Sequence, residues 1–296
     1  MKQNRQIRTI LGLFRIIPLF LRRLIFCGAA LLFYRLSERH RLIVLHNLRW
    51  AFPEKGSGEI GRIARGAYRN IGILAAEFFE IFSMDSSSIE RWVEIEGLEN
   101  YQAAKAKNKG VLFYTAHLGN WEIMAACFGF IIDPVHIVYR PLDNKILDGI
   151  VAYSRSYTGN SLIAKGGAAA KIYEILRNNE NVGVLLDQNV SWKTGGVFVP
   201  FFGRPACTTT RLATIALTSG APVIPGFSIR KTDGTYKIIF GKEVPLIRTG
   251  NNEFDLYENT KAFTAIIEKV VHDHPEQWFW LHQRWKTKQC QVGTPY

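Results

Sequence analysis

From Val93 onward short apolar runs alternate with amphipathic stretches, and this alternation constrains the fold more than any other feature. Strands are expected at residues 93–96, 110–116, 134–139, 182–187, 222–229 and 236–240. Helices are expected near 98–107, 120–131, 144–156, 167–179, 208–219 and 256–273. Strands separated by helices imply a sheet with helices on both faces, so the pattern predicts an α/β domain. With 296 residues, 47% of them hydrophobic, the chain is long enough for a sizeable core, and no long linker divides it.

The net charge of +12 is placed unevenly: residues 1–50 carry +9 and the rest +3. Residues 7–36 alternate apolar blocks with arginines, and the longest uncharged run, Leu24 to Tyr34, is far shorter than the roughly 20 residues of a spanning helix. Arg8, Arg15 and Arg22 recur every seven residues, which on a helix gives one basic stripe drifting by about 20° per repeat. The opposite face holds Ile10, Leu13, Phe14, Ile17, Leu21, Leu24 and Ile25. This pattern predicts a helix lying in the interface of an anionic membrane, kinked or divided at Pro18. Competing readings are a signal peptide, which lacks its cleavage site, and an ordinary helix packed on the domain. A nucleic-acid arm would not be so rich in Leu, Ile and Phe, so no nucleic-acid partner is expected.

Residues 110–122 deliver His117 at the end of an apolar strand and Glu122 five residues later. A carboxylate beside an imidazole fixes its tautomer and stabilises the imidazolium, giving a general base near neutral pH. On one ideal helix positions five apart point about 140° away from each other. The two side chains therefore meet only if His117 belongs to the strand or turn and Glu122 to the first turns of the helix. Gly119 supplies the turn and Asn120 an N-cap, and the free N–H groups there suit a thioester oxyanion. The competing reading is a capped turn with a solvated glutamate.

Arg140 ends an apolar run and suits an anionic oxygen, or else a surface salt bridge. Asp187 and Gln188 are presented as another apolar strand ends. Residues 196–211, including Arg204, read as an aromatic loop leading to a hydroxyl-rich helix start, and residues 274–285 as a packed aromatic helix end. Neither a G-x-S-x-G elbow nor a P-loop is present. The glycines 56, 58 and 61 match a dinucleotide fingerprint, but Phe52-Pro53-Glu54-Lys55 stands where its strand should be. Cys27, Cys127, Cys207 and Cys290 are widely spaced, which argues for a reducing compartment and against structural zinc. His117 and Glu122 have no third ligand at metal spacing.

Taken in order, several motifs resemble the bacterial lipid A lauroyl and myristoyl acyltransferases, a branch of the lysophospholipid acyltransferase superfamily. They are Asn47-Leu-Arg-Trp-Ala-Phe-Pro-Glu54, Gly97-Leu-Glu-Asn100, the His117–Glu122 block, Asp187-Gln188, the run from Val199 to Thr210, and His274 to Trp285. The resemblance covers nearly the whole chain. It implies a glycerol-3-phosphate-acyltransferase-like fold, a mixed sheet flanked by helices, with an N-terminal membrane-associated segment (residues 1–50) ahead of one catalytic domain (residues 51–296). It implies an acyl thioester donor, acyl carrier protein or acyl-CoA, a glycolipid acceptor, no cofactor, and the cytoplasmic face of the inner membrane. His117 would be the general base and Glu122 would orient it, without a covalent intermediate. Substrate binding falls to Arg140, Asp187, Gln188, Asn120 and Arg204. The Phe-Pro-Glu-Gly-Thr block of the glycerolipid enzymes is missing, which favours a saccharolipid acceptor. The alternatives are another membrane glycolipid or aminolipid acceptor, or a non-catalytic lipid-binding protein of the membrane surface.

Overall fold

The computed structural model describes residue 14, residues 16–164 and residues 166–289; Arg8, Ile10, Leu13, Arg15 and Cys290 lie outside these. Helices α1 (Leu19–Leu36), α2 (Glu38–Ala51), α3 (Ser57–Phe78) and the short α4 (Ser86–Ile89) come first. Then follow β1 (Val93–Glu96), α5 (Leu98–Lys105), β2 (Val111–Thr115), α6 (Trp121–Cys127), β3 (Val135–Tyr139), α7 (Lys145–Tyr157), β4 (Ser161–Ala164) and α8 (Ala168–Arg177). The chain continues through β5 (Asn181–Leu185), β6 (Gly196–Phe201), β7 (Arg204–Thr209), α9 (Arg211–Ser219), β8 (Val223–Arg230), β9 (Tyr236–Phe240) and α10 (Asn252–Asp273).

Seven strands make one mixed, mostly parallel sheet in the order β1-β9-β8-β2-β5-β3-β4. Strands β8, β2, β5, β3 and β4 run parallel, while β9 is antiparallel to β8 and pairs in parallel with β1. Strand β2 lies in the middle, and its apolar run does not alternate because a central parallel strand is buried on both faces. Leu112 and Tyr114 join a core with Tyr68 of α3 and Phe263 of α10, and Val111 and Phe113 join a second with Ile123 and Phe128. The β2–β5 register sets Thr115 against Leu185, so the chain leaves both strands at the same level. Two residues further along each strand stand His117 and Asp187.

Two parts depart from expectation. Strand β4 is an additional edge strand on β3, and its Ser-Leu-Ile-Ala run lacks the apolar–polar alternation that marks the equally short β1. Residues 196–209 are a separate antiparallel hairpin, β6–β7, rather than an aromatic loop and helix start, and α9 begins only at Arg211. Pro200 and Pro205 sit opposite each other in that hairpin, and its two-residue turn has φ of 52° at Phe202 and 66° at Gly203. Positive φ at both turn positions matches the twist of a tight hairpin, but Phe-Gly is a weaker signature of it than Asn-Gly.

At the N-terminus α1 starts directly after Pro18 and packs along α3. Gly72 of α3 makes the close crossing possible: a Cβ there would lie 2.7 Å from the Cα of Cys27 and from the carbonyl oxygen of Phe26. The arginine stripe is corrected at Arg22, which is buried and ion-paired with Glu80, while Arg23 pairs with Glu77 at 2.7 Å. Those arginines thus face the protein, and Phe20, Leu24, Ile25, Leu32 and Leu36 face outward. Among the described residues no helix is long and apolar enough to cross a membrane. Gly72→Val should force α1 away from α3 and cost about 1–3 kcal/mol of overpacking strain, measurable as a lowered urea midpoint.

Candidate active site

The turn after β2 is shaped by one glycine. Gly119 has φ +60°, and a Cβ on it would come within 1.7 Å of the Ser228 carbonyl oxygen, so no other residue fits without moving β8. Its N–H donates to the Gln277 carbonyl (2.9 Å), and the Phe279 N–H donates to that of His117 (2.9 Å). The Asn70 amide on α3 donates to the carbonyls of Gly119 and Gln277, each at 3.1 Å. Asn120 caps α6 as its spacing predicts, its side-chain oxygen accepting from the Ile123 N–H at 3.1 Å.

The carboxylate beside the imidazole is Asp187. Its Oδ1 lies 2.8 Å from Nδ1 of His117, and its Oδ2 accepts from the His117 backbone N–H (2.9 Å) and from the Trp278 indole N–H (2.7 Å). Only 3% of Asp187 is exposed. Burial opposes its charge, but the adjacent His117 and the three hydrogen bonds outweigh that and hold its pKa down to about 2. An ionised Asp187 accepts only, so Nδ1 of His117 carries a proton, and in the neutral imidazole Nε2 is the nitrogen with the free lone pair.

Glu122 is placed differently from expectation. It lies in the first turn of α6, as the helix geometry requires, but makes no hydrogen bond to His117. Arg155 of α7 takes both its oxygens, Nη2 to Oε1 at 2.7 Å and Nε to Oε2 at 3.1 Å, and the Trp121 indole adds a third bond at 3.1 Å. Although burial works against the charge on Arg155, Glu122 outweighs it and raises the guanidinium pKa. Nothing in the sequence around Arg155 marks it for this position.

His117 opens onto a cleft of about 730 Å³, within the roughly 300–1,000 Å³ of small-molecule sites. Arg140, Arg155, Gln188, Leu212 and Ile215 are among its lining residues. Arg140 stands at its rim with 77% of its side chain exposed and pairs with Asp143 at 3.1 Å, so it forms the surface salt bridge that was the competing reading. Arg204 is corrected in place: it lies on the β6–β7 hairpin, outside the cleft lining, with its guanidinium 4.5 Å from the Trp50 ring centre. A second, apolar chamber of about 60 Å³ lies beside the cleft, lined by Phe113, Met124, Phe128 and Ile137. Arg155 borders both spaces, and Glu122 borders the chamber.

The C-terminal aromatic segment is a clasp over the site, not a helix end. Trp278 pairs with Leu118 in an isolated antiparallel bridge, and Trp278 and Trp280 are fully buried. Nε2 of His282 accepts from the Asn189 N–H at 2.7 Å; burial lowers its pKa to about 4, which keeps it neutral for that bond. Arg284, pushed down to about 10 by burial, donates to the Cys207 carbonyl and the Thr208 hydroxyl of the hairpin. Asp187 and the hairpin are thereby held by residues about 90 and 77 positions further along the chain.

A histidine–aspartate pair beside a large cleft, at the carboxyl ends of adjacent parallel strands, is the placement expected of the active site of an α/β enzyme. Residues 7–287 match the family described as bacterial lipid A biosynthesis acyltransferase, and the chain belongs to that family. It is therefore an acyltransferase. It is 30% identical to the lipid A biosynthesis lauroyltransferase of Escherichia coli K12 over 91% of this chain and 87% of that protein. It is also 27% identical to the palmitoleoyltransferase of the same organism over 85% and 80% of the two chains. A phosphatidylinositol mannoside acyltransferase of Mycobacterium tuberculosis is 24% identical over 71% and 66%.

The depressed Asp187 pKa carries a pH consequence. Its ordinary value is 3.8 and its folded value about 2, so its contribution is fully present above pH 4 and lost as pH falls towards 2. Urea titrations at stepped pH should show about 2 kcal/mol of acid-labile stability in the wild type that Asp187→Asn lacks.

Proposed function

We propose that this enzyme moves a fatty acyl chain from the thioester of acyl carrier protein to a hydroxyl of a lipid A precursor. The carrying observation is the 2.8 Å contact between His117 and ionised Asp187 beside the 730 Å³ cleft. Nε2 of His117 removes the acceptor hydroxyl proton while that oxygen attacks the thioester carbonyl. Asp187 stabilises the imidazolium without taking the proton. The tetrahedral intermediate collapses, the carbon–sulfur bond breaks, and the thiolate leaves with the proton returned from His117. Products are an ester and the carrier thiol, with no covalent enzyme intermediate.

In this reading Asp187 takes the orienting role first assigned to Glu122, and the Glu122–Arg155 pair forms the wall between the cleft and the apolar chamber. The chamber, about 60 Å³ and apolar on the side of Phe113, Met124, Phe128 and Ile137, takes at most the tip of the donor's acyl chain. Gln188 and Arg140 line the cleft on the side open to an acceptor. The mixed sheet is consistent with a glycerol-3-phosphate-acyltransferase-like catalytic domain over residues 51–296.

Residues 1–50 attach the enzyme to the cytoplasmic face of the inner membrane. The outward stripe of Ile16, Phe20, Leu24, Ile25, Leu32 and Leu36, followed by the exposed Arg35, Arg39 and Arg49, supports this. Apolar side chains enter the acyl region while the arginines meet anionic headgroups. A saccharolipid acceptor is the first choice, and the mannoside-acylating relative makes another membrane glycolipid the second.

His117→Ala should lower kcat/KM for lauroyl transfer by about 10²–10⁴ with an unchanged circular dichroism spectrum. Asp187→Asn should fall in the same range, whereas undiminished transfer by either variant removes this mechanism. Mass spectrometry of lipid A with and without the gene identifies the acceptor: loss of a secondary acyl chain is expected, and an unaltered lipid A profile would redirect the search to other glycolipids. Leu24→Gln with Leu32→Gln should weaken binding to phosphatidylglycerol-containing vesicles about tenfold or more, measured by flotation.

A further inference from the structure

Glu77, in the last turn of α3, is completely buried, and its two oxygens face different parts of the molecule. Oε1 receives Arg23 of α1 through Nε (3.0 Å) and Nη2 (2.7 Å), with Arg230 of β8 at 3.7 Å. Oε2 receives the side-chain amide of Asn120 (3.2 Å) and the hydroxyl of Tyr236. Asn120 is the N-cap of α6 and ends the turn that carries His117. Seven residues before Glu77, two turns back on the same helix, Asn70 holds the carbonyl of Gly119. The His117 turn therefore rests on one face of α3 through two side chains. One of these is charged, and its counter-charge comes from the outward apolar helix α1.

A polar residue in a fully buried position, held by four partners on α1, β8, β9 and the N-cap of α6, is more than a surface clamp. Arg23 and Glu77 fix α3 to α1, and the same carboxylate fixes Asn120. The Glu77 carboxylate is thus common to the α1 contact and the turn, beside the separate tie that Asn70 makes to Gly119. General-base geometry tolerates little displacement, since about 1 Å of misplacement costs on the order of 10²-fold in rate.

We infer that Glu77 is a positioning residue for transfer, tying the outward-facing helix α1 to the His117 turn through Arg23 on one oxygen and Asn120 on the other. This rests on the acyl-transfer reading for its kinetic consequence, but the tie itself is a physical property of the folded chain.

The test uses the full chain as Glu77→Gln, Arg23→Gln and Arg23→Lys. It combines steady-state lauroyl transfer from acyl carrier protein with amide hydrogen exchange read by mass spectrometry. In Glu77→Gln, kcat should drop about tenfold or more while KM stays within about twofold. Exchange across residues 117–124 should quicken about tenfold, with the β5 strand unchanged. Arg23→Gln should move both readouts the same way, and Arg23→Lys, which keeps the ion pair, should lie nearer the wild type. Unchanged exchange at 117–124 in folded Glu77→Gln overturns the proposal, as does an equal rise in β5, which marks general loosening. If Glu77→Gln does not accumulate, Arg23→Gln decides the question, because Glu77 then keeps Arg230 at 3.7 Å, the Tyr236 hydroxyl and the Asn120 amide as partners. Failure of the acyl-transfer reading shows separately, as absence of turnover in the unsubstituted protein, and leaves the exchange comparison intact.

Discussion

The buried carboxylate of Asp187 is the interaction on which the site depends. A charge so deeply enclosed is costly unless every lone pair it presents is answered. Here the His117 ring, the His117 backbone and the Trp278 indole answer it, and each comes from a different constraint on the chain. The ring position follows from the end of β2, the backbone N–H from the turn beyond it, and the indole from the C-terminal clasp. Because Asp187 stays ionised, one tautomer of His117 is selected and Nε2 is free to act on the cleft side. In the proposed mechanism stability and chemistry share the same three hydrogen bonds.

Around that pair the protein spends polar groups on holding loops rather than on binding. Asn70, Gln277 and Asn120 tie the turn after β2 to α3, β8 and the clasp. His282 and Asn189 tie the segment after β5. Glu122 belongs to this group as well, since its two oxygens are occupied by Arg155 and it borders the apolar chamber. A buried, bidentate arginine–carboxylate pair fixes the approach of α7 to α6, which in turn sets how the two cavities adjoin.

Much of the sheet was legible in the sequence, and for a physical reason. Strands β2, β3, β5 and β8 lie inside the sheet, β2 and β8 are buried on both faces, and their runs are largely apolar. The edge strand β4 and the hairpin β6–β7 were not. The first lacks the alternation that marks the equally short β1, and the second carries paired prolines and a Phe-Gly turn that disguise its period. The N-terminal helix was legible as amphipathic but not as to which side faces the protein. Its arginines have acids to meet at Glu77 of α3 and at Glu80 just beyond that helix, and those acids lie more than 50 residues away.

The sequence by itself determined an α/β sheet, a turn at Gly119, a cap at Asn120, and a histidine and an aspartate each delivered at a strand end. These are local properties, set by period, backbone freedom and capping within a few residues. Which carboxylate meets the imidazole was decided only by the tertiary structure. Glu122 is five residues from His117 and Asp187 is 70, yet β5 lies beside β2 in parallel and in register, and this sets Asp187 against the ring. Strand order depends on how all the helices share the two faces of the sheet, a global packing property that no local spacing encodes. Arg155 completed the reassignment by taking Glu122 for itself.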